Sequence, residues 1–297
     1  MEILFKKEIR VLCQGITGKQ GTINTISCIK YGTNIVAGIS KKKKIKKYLG
    51  IPIFSSIKKA VRKTGANVSI VYVPAKNCKN AIIEAIYSGI KLIVCITEGI
   101  PILDILVIKS HLKKRCVQMI GPNTPGFIIP GRVKVGIMPS QIYKKGSIGV
   151  VSRSGTLSYE ISNLITNMNL GQSICIGIGG DPIVGIDFLE IVKFLEKDKN
   201  TKIIFLIGEI GGNLEEKVVK YYKKNKIKKP TISYIVGKKV PKYRIIGHAG
   251  AIIKKSQETW KEKCKNLKSC GIIVVKNIFD IQNTILNTIE KQPNTNT

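Results

Sequence analysis

Gln14-Gly15-Ile16-Thr17-Gly18-Lys19-Gln20-Gly21 follows directly on a strand-like run, Arg10 to Cys13, and opens a segment of helical character. A strand that feeds a helix through glycines at 15, 18 and 21 is the entry to a βαβ unit, because glycine permits a tight turn and close backbone approach. The helix that follows presents unpaired N–H groups at its N-terminus, a natural seat for phosphate. The spacing is G-x-x-G-x-x-G and not the G-x-G-x-x-G of dinucleotide enzymes, so it points to a nucleotide-like ligand more than to NAD. A plain strand-to-helix turn would need only one glycine.

Outward from this turn the same alternation continues. Strand-like runs occupy Arg10 to Cys13, Asn34 to Ile39, Val68 to Val73, Leu92 to Ile96 and Val117 to Ile120, with helical stretches beginning near Gly21, Ser56, Cys78 and Ile102. Such alternation predicts a doubly wound α/β domain with a parallel sheet over residues 1–122. Residues 123–145, rich in Gly and Pro, read as an extended connection. A second doubly wound α/β domain is expected over 146–291, with strands at Ser147 to Val151, Gln172 to Ile178, Ile203 to Ile207, Thr231 to Val236 and Gly271 to Val275. Its helices start at Gly155, Gly185 and Leu214, and the last covers Ile278 to Ile289. The polar tail 292–297 is expected to be disordered.

Composition narrows the class. The 297 residues suffice for two domains, and 43% hydrophobic with 23% charged residues is a globular balance. Apolar runs such as Ile90 to Ile96, broken by Lys91, fall far short of the ~20 residues of a membrane span. The opening Met1-Glu2-Ile3-Leu4-Phe5-Lys6-Lys7 leads straight into the first strand, so no leader and a cytoplasmic location are expected. Eight scattered cysteines without a Cys-x-x-Cys pair read as reduced core thiols, with neither disulfides nor a metal site. A net charge of +32 raises the question of nucleic acid. The lysines are spread over nearly every helix, however, and the densest runs, 41–47 and 223–229, have no interleaved aromatics to stack on bases, so no nucleic-acid partner is expected.

Four further segments carry candidate chemistry. Val151-Ser152-Arg153-Ser154-Gly155-Thr156 lies at a strand-to-helix junction, where Ser154 and Gly155 offer a phosphate seat or, equally, an ordinary N-cap. Gly177-Ile178-Gly179-Gly180-Asp181-Pro182 is a glycine-rich loop at a strand's carboxyl end. Ile207-Gly208-Glu209-Ile210-Gly211-Gly212 places one carboxylate among small and apolar residues. Gly247-His248-Ala249-Gly250-Ala251 holds one of only two histidines, the other being His111. An imidazole is a nucleophile or base near neutrality, and an orienting carboxylate such as Glu209 would complete it.

Together with Ile96-Thr97-Glu98-Gly99-Ile100-Pro101 and Met119-Ile120-Gly121-Pro122-Asn123, these motifs occur in an order that resembles the α subunit of succinyl-CoA synthetase, from residue 3 to about 290. The resemblance implies a Rossmann-like domain that binds coenzyme A through Thr17, Gly18, Lys19 and Gln20, with Lys43 as a further contact and Ile96, Thr97 and Glu98 near the mouth. It also implies a flavodoxin-like domain in which His248 is transiently phosphorylated, Glu209 bonds its other ring nitrogen, Ser154 and Gly155 hold the phosphate, and Tyr159 stands beside the organic substrate. A β subunit of ATP-grasp fold, in an αβ complex or its dimer, would supply Mg²⁺ and the ADP/ATP or GDP/GTP site, with succinate, CoA and phosphate as the other reactants. The tricarboxylic acid cycle is the implied setting. The alternatives are a related acid–CoA ligase, for malate for example, and a non-catalytic CoA-binding protein. Two departures stand out: Lys41-Lys42-Lys43-Lys44-Ile45 replaces a Pro-Gly-Lys-Gly type loop, and Thr124 stands where the family pattern has cysteine.

Overall fold

The computed structural model describes residues 2–5, 8–40, 45–225, 227–241, 243 and 247–291. The chain divides into two compact units, residues 1–141 with 176–187 and residues 142–175 with 188–297.

In the first unit β1 (Val11–Gln14) is buried along its whole length, the pattern of a parallel strand covered on both faces. It leads into α1 (Lys19–Lys30), β2 (Ile35–Ile39), β3 (Lys47–Tyr48), β4 (Ile51–Phe54), α2 (Ile57–Thr64), β5 (Val68–Val71), α3 (Ala75–Tyr87), β6 (Leu92–Cys95), α4 (Ile102–Arg115) and β7 (Gln118–Ile120). The sheet order is β3-β4-β2-β1-β5-β6-β7. All pairings are parallel except the short edge pair β3–β4. The chain leaves β1 towards β2 and later returns to β5 on its other side, so β1 is the topological switch point, where open sheets bind ligands. Registers that pair Gln14 with both Ile39 and Val71, and Val71 with Cys95, bring the carboxyl ends of four strands to one edge. Ile57, Cys78, Ile82, Ile105 and Ile108 on the helices bury against Leu12 and Ile93 of the sheet.

Two features depart from the sequence reading. Leu49 and Gly50, at φ 53° and 77°, close the β3–β4 hairpin, a turn that usually advertises itself as Asn-Gly. Residues 123–145, expected to be an extended connection, contain an antiparallel hairpin of β8 (Gly126–Ile129) and β9 (Val133–Gly136). Phe127, Ile128, Val133 and Val135 are buried, and Lys134, only 2% exposed, is accommodated because its Nζ donates to Ser27 Oγ at 2.6 Å and to Met138 O at 3.0 Å.

The second unit contains β10 (Lys145–Ser152), α5 (Gly155–Asn167), β11 (Gln172–Gly177, whose last two residues group with the first unit), α6 (Phe188–Lys197), β12 (Ile203–Glu209), α7 (Leu214–Lys224), β13 (Thr231–Val236), α8 (Trp260–Lys268), β14 (Ile273–Val275) and α9 (Ile281–Glu290). Its strands run β14-β13-β12-β10-β11, so β10 occupies the switch position that β1 holds in the first unit. The helix expected from Gly185 begins only at Phe188, and α8 forms where the apolar pattern predicts no helix. Its sequence Trp-Lys-Glu-Lys-Cys-Lys-Asn-Leu-Lys is mostly charged, and it is held by a Thr259 N-cap, by burial of Cys264 and Leu267, and by Lys263. No helix among the described residues is long and apolar enough to cross a membrane.

The turn after β1 depends on its first and third glycines. Gly15 has φ +82°, and a Cβ on Gly21 would overlap the Gly15 carbonyl. Gly21→Ala is therefore expected to destabilise the chain by about 1–3 kcal/mol through overpacking, read as a lower urea midpoint. An unchanged midpoint would mean that the turn relaxes around a methyl group.

Candidate active site

At the first unit's sheet edge, α1 starts without a side-chain cap. Gly18 is its N-cap, and the amides of Lys19 and Gln20 have no acceptor among the described residues. Thr17 is half-buried, while Gly18, Lys19 and Gln20 are exposed. Ile96, Thr97 and Glu98 follow β6 at the same edge; Thr97 Oγ1 donates to Val73 O at 2.7 Å, and Glu98 is exposed. Uncapped N–H groups beside an exposed lysine form an arrangement that fits a phosphorylated ligand such as CoA. Lys43 lies outside the described residues. Gln14 is structural, its Nε2 donating to Ser69 Oγ at 3.0 Å and Ala81 O at 3.2 Å. Asp181 accepts from Asn123 Nδ2 at 3.0 Å, and Thr124 Oγ1 donates to Gly177 O at 2.6 Å while accepting from the Gly126 amide at 2.9 Å. Thr124 thus ties a loop together where the family pattern has a thiol.

In the second unit the parallel register sets Ser152 of β10 opposite Ile207 of β12, so Arg153 and Glu209 emerge from adjacent strand ends. The Glu209 carboxylate, 8% exposed, meets a different partner on each oxygen: Oε2 hydrogen-bonds His248 Nδ1 at 2.8 Å, while Oε1 forms an ion pair with Arg153 Nη2 at 2.9 Å that lacks hydrogen-bond geometry. An ionised carboxylate only accepts, so Nδ1 carries the proton in this contact and the lone pair of the neutral ring resides on Nε2. His248 itself is 29% exposed, accessible to a reactant while its partner is not.

Glycines allow this closeness. A Cβ on Gly211 would stand 2.6 Å from Ile252 N and 2.7 Å from Gly250 O, so the His248 loop lies directly on the turn that follows Glu209. Ile210, Ala251 and Ile253, with Val240 and Trp260, form a small apolar cluster that anchors the loop. Ser154 is the N-cap of α5 and its Oγ accepts from Leu157 N at 3.3 Å, which is the ordinary capping role. The first two amides of α5, those of Gly155 and Thr156, have no acceptor among the described residues. Tyr159 is half-buried one turn along, and burial, with the neighbouring Cys175 as a lesser cause, pushes its phenol up to about 12. It is therefore a hydrogen-bond donor at neutral pH.

Three charged residues near the site carried no role in the sequence reading: Arg153, Glu215 and Lys263. Glu215, on the first turn of α7, accepts the Glu209 backbone N–H on Oε1 at 3.1 Å and pairs with Lys263 of α8 through Oε2. Both are buried, at 1% and 0% exposure. Burial opposes ionisation of Glu215, but the charges of Lys263 and Arg153 and the Lys263 hydrogen bond outweigh it and hold the carboxyl below its usual range. Arg153 stands out only as an arginine wedged between a strand and an N-cap. Nothing in the sequence separates Lys263 from the other lysines. The eight cysteines are all unpaired, and no cluster of three or more metal-ligating side chains occurs among the described residues.

The two α/β folds define a class that the comparisons bear out. Residues 6–99 match the family described as CoA binding domain, and residues 151–273 match the family described as CoA-ligase. The α subunit of ADP-forming succinate–CoA ligase from Aquifex aeolicus is 45% identical over 96% of this chain and 94% of its own length. The α subunit 2 from Archaeoglobus fulgidus is 44% identical over 95% and 97%, and that of Staphylococcus epidermidis 41% over 98% and 96%. The chain belongs to this family, the α subunits of succinate–CoA ligase. Among solved structures, ATP citrate lyase from Methanosaeta concilii in complex with (3S)-citryl-CoA superposes with TM-score 0.86 at 23% identity, covering 99% of this chain. A dinucleotide-forming acetyl-coenzyme A synthetase from Ca. Korarchaeum cryptofilum gives 0.79 at 20% identity over 95%. This chain spans 53% and 61% of those two chains, and the likeness is one of fold.

The Glu215 pairing has a sign that can be checked. A carboxyl held below its unfolded value adds stability above that value, about 4.3, and loses it as pH falls through the lower folded value. Lys263→Met leaves a buried carboxylate uncompensated and is expected to cost about 3–5 kcal/mol near pH 7. The deficit should shrink as pH falls, beginning where the buried carboxyl without its cation takes up a proton and ending at the lowered wild-type value. Denaturant melts across pH measure both, and a deficit independent of pH would assign the loss to packing alone.

Proposed function

We propose that this chain is the phosphoryl-carrying α subunit of a succinate–CoA ligase. The reaction converts succinyl-CoA, phosphate and a nucleoside diphosphate reversibly to succinate, CoA and the triphosphate, a step of the tricarboxylic acid cycle. The observation that carries the reading is the buried Glu209 carboxylate on His248 Nδ1, which leaves Nε2 as the nucleophile. Phosphate oxygen attacks the thioester carbonyl, the C–S bond breaks, and CoA leaves as thiolate to be protonated. His248 Nε2 then attacks the phosphorus of succinyl phosphate; the N–P bond forms as the P–O bond to the acyl oxygen breaks, and succinate departs. Glu209 stabilises the positive charge on the ring, and the Gly155 and Thr156 amides with the α5 dipole take up phosphate charge. Finally a terminal oxygen of the diphosphate takes the phosphoryl group from Nε2.

On this reading residues 1–122 bind CoA through Thr17 to Gln20, Ile96 to Glu98 and Lys43, and 146–291 carry the phosphohistidine. Ser154 steadies the phosphate seat and Tyr159 donates to the organic acid. A β subunit of ATP-grasp fold supplies Mg²⁺ and the nucleotide site, and the names of the relatives favour ADP. Eight unpaired thiols fit a reducing compartment, the cytoplasm. A bare CoA-binding protein would have no use for the Arg153–Glu209–His248 arrangement.

With the partner subunit and γ-labelled ATP, His248 is expected to acquire acid-labile, base-stable label, and His248→Asn none. An unlabelled wild type would favour the binding module. The purified chain without its partner is expected not to turn over; robust turnover by it alone would sink the subunit assignment.

A further inference from the structure

Arg153 is the buried cation of the site, with a side chain 2% exposed. Its Nη2 lies 2.9 Å from Glu209 Oε1, and its Nη1 donates at 3.3 Å to the carbonyl of Gly211, the residue on which the His248 loop packs. One guanidinium therefore touches both supports of His248. Its own backbone N–H donates to Ile207 O at 3.1 Å, fixing its root to β12. Arg153 Nε and Glu209 Oε1 are both buried without a hydrogen-bond partner among the described residues, so the Nη2–Oε1 contact is an ion pair and not a fork of hydrogen bonds.

The need for such a group follows from glutamate's geometry. Its terminal torsion is broad and two-fold, so Glu209 alone does not decide where Oε2 points. A cation 2.9 Å from Oε1 favours the carboxylate orientation that keeps that oxygen against it, and it balances the charge where water does not. We propose that Arg153 is a positioning residue for phosphoryl transfer: by holding Oε1 it aims Oε2 at Nδ1, fixes His248 as the Nδ1–H tautomer and so selects Nε2 as the attacking atom. Arg153 touches neither substrate nor phosphoryl group in this role. The proposal rests on the phosphohistidine reading above.

The test uses the complex with its partner subunit, comparing wild type, Arg153→Met and Arg153→Lys, with Glu215 and Lys263, the other buried charges behind Glu209, left intact. Labelling of His248 from γ-labelled ATP is followed against pH and ATP concentration. In parallel, ¹⁵N-histidine NMR reports the tautomer; the chain has only two histidines, so His111→Gln assigns the spectrum. Arg153→Met is expected to slow labelling by roughly tenfold to hundredfold, less than loss of a general base outright. The KM for ATP should not change. The acidic limb should move to higher pH, because a buried carboxylate without its cation is protonated more readily, and His248 should become a mixture of tautomers. Arg153→Lys should restore the limb and the single tautomer.

An Arg153→Met protein with the wild-type limb and tautomer, whatever its rate, overturns the proposal and leaves the phosphohistidine reading standing. A labelled wild type that is itself a tautomer mixture does the same. An unlabelled wild type overturns both. If Arg153→Met does not fold, Arg153→Lys decides: the wild-type limb with a single tautomer supports the proposal, and a displaced limb or mixed tautomer overturns it.

Discussion

A carboxylate at the end of a β-strand, shut away from water, is tenable only if positive charge and hydrogen-bond donors meet it from outside its own strand. Glu209 imposes that condition on the second unit. Arg153 meets it from the neighbouring strand end and His248 from a loop beyond the next strand, while Glu215 of the following helix accepts the Glu209 backbone N–H and fixes the root of the residue. Lys263 then compensates Glu215, so two buried cations face two buried carboxylates across segments far apart in sequence. The glycines at 208 and 211 belong to the same constraint: side chains there would collide with the Glu215 carboxylate and with the 250–252 backbone.

The two units solve a common problem in the same place. Each puts its switch-point strand, β1 or β10, between neighbours on both sides and starts a helix from its carboxyl end, where ligands gather in open α/β sheets. The helix starts differ in one respect. The first turn of α1 has no side-chain cap, whereas α5 has Ser154 bonded to its third amide and only its first two amides without an acceptor. The α1 start leaves more of its donors to a ligand, and the α5 start is more rigid.

Much of this was legible in the residues, because parallel strands read as short apolar runs and helix starts carry proline, serine or asparagine after a glycine-bearing or polar turn. The strands at 35–39, 92–95 and 231–236 and the helices from Ile102, Gly155 and Leu214 follow from that pattern. The remaining elements lack that pattern. The 47–54 hairpin turns on Leu-Gly, the 126–136 hairpin hides Lys134 in its interior, and α8 is a charged segment that becomes helical by burying Lys263 against Glu215. Tertiary pairing, which local sequence does not encode, overrode polarity in the last two. The same gap hid part of the site. His248 and Glu209 are conspicuous through their chemistry and glycine surroundings, but Lys263 is one more lysine in a chain of net charge +32.

The division of the chain into units is discontinuous in sequence. The first unit holds residues 1–141 and takes back 176–187; the second holds 142–175 and 188–297, so the polypeptide passes from one to the other three times. No single scission frees either unit. A nick at one junction leaves the halves covalently joined through the others, and the unit that carries His248 cannot be excised as one contiguous fragment without either taking along residues 176–187 or leaving out residues 142–175, which contain β10 of Glu209's own sheet.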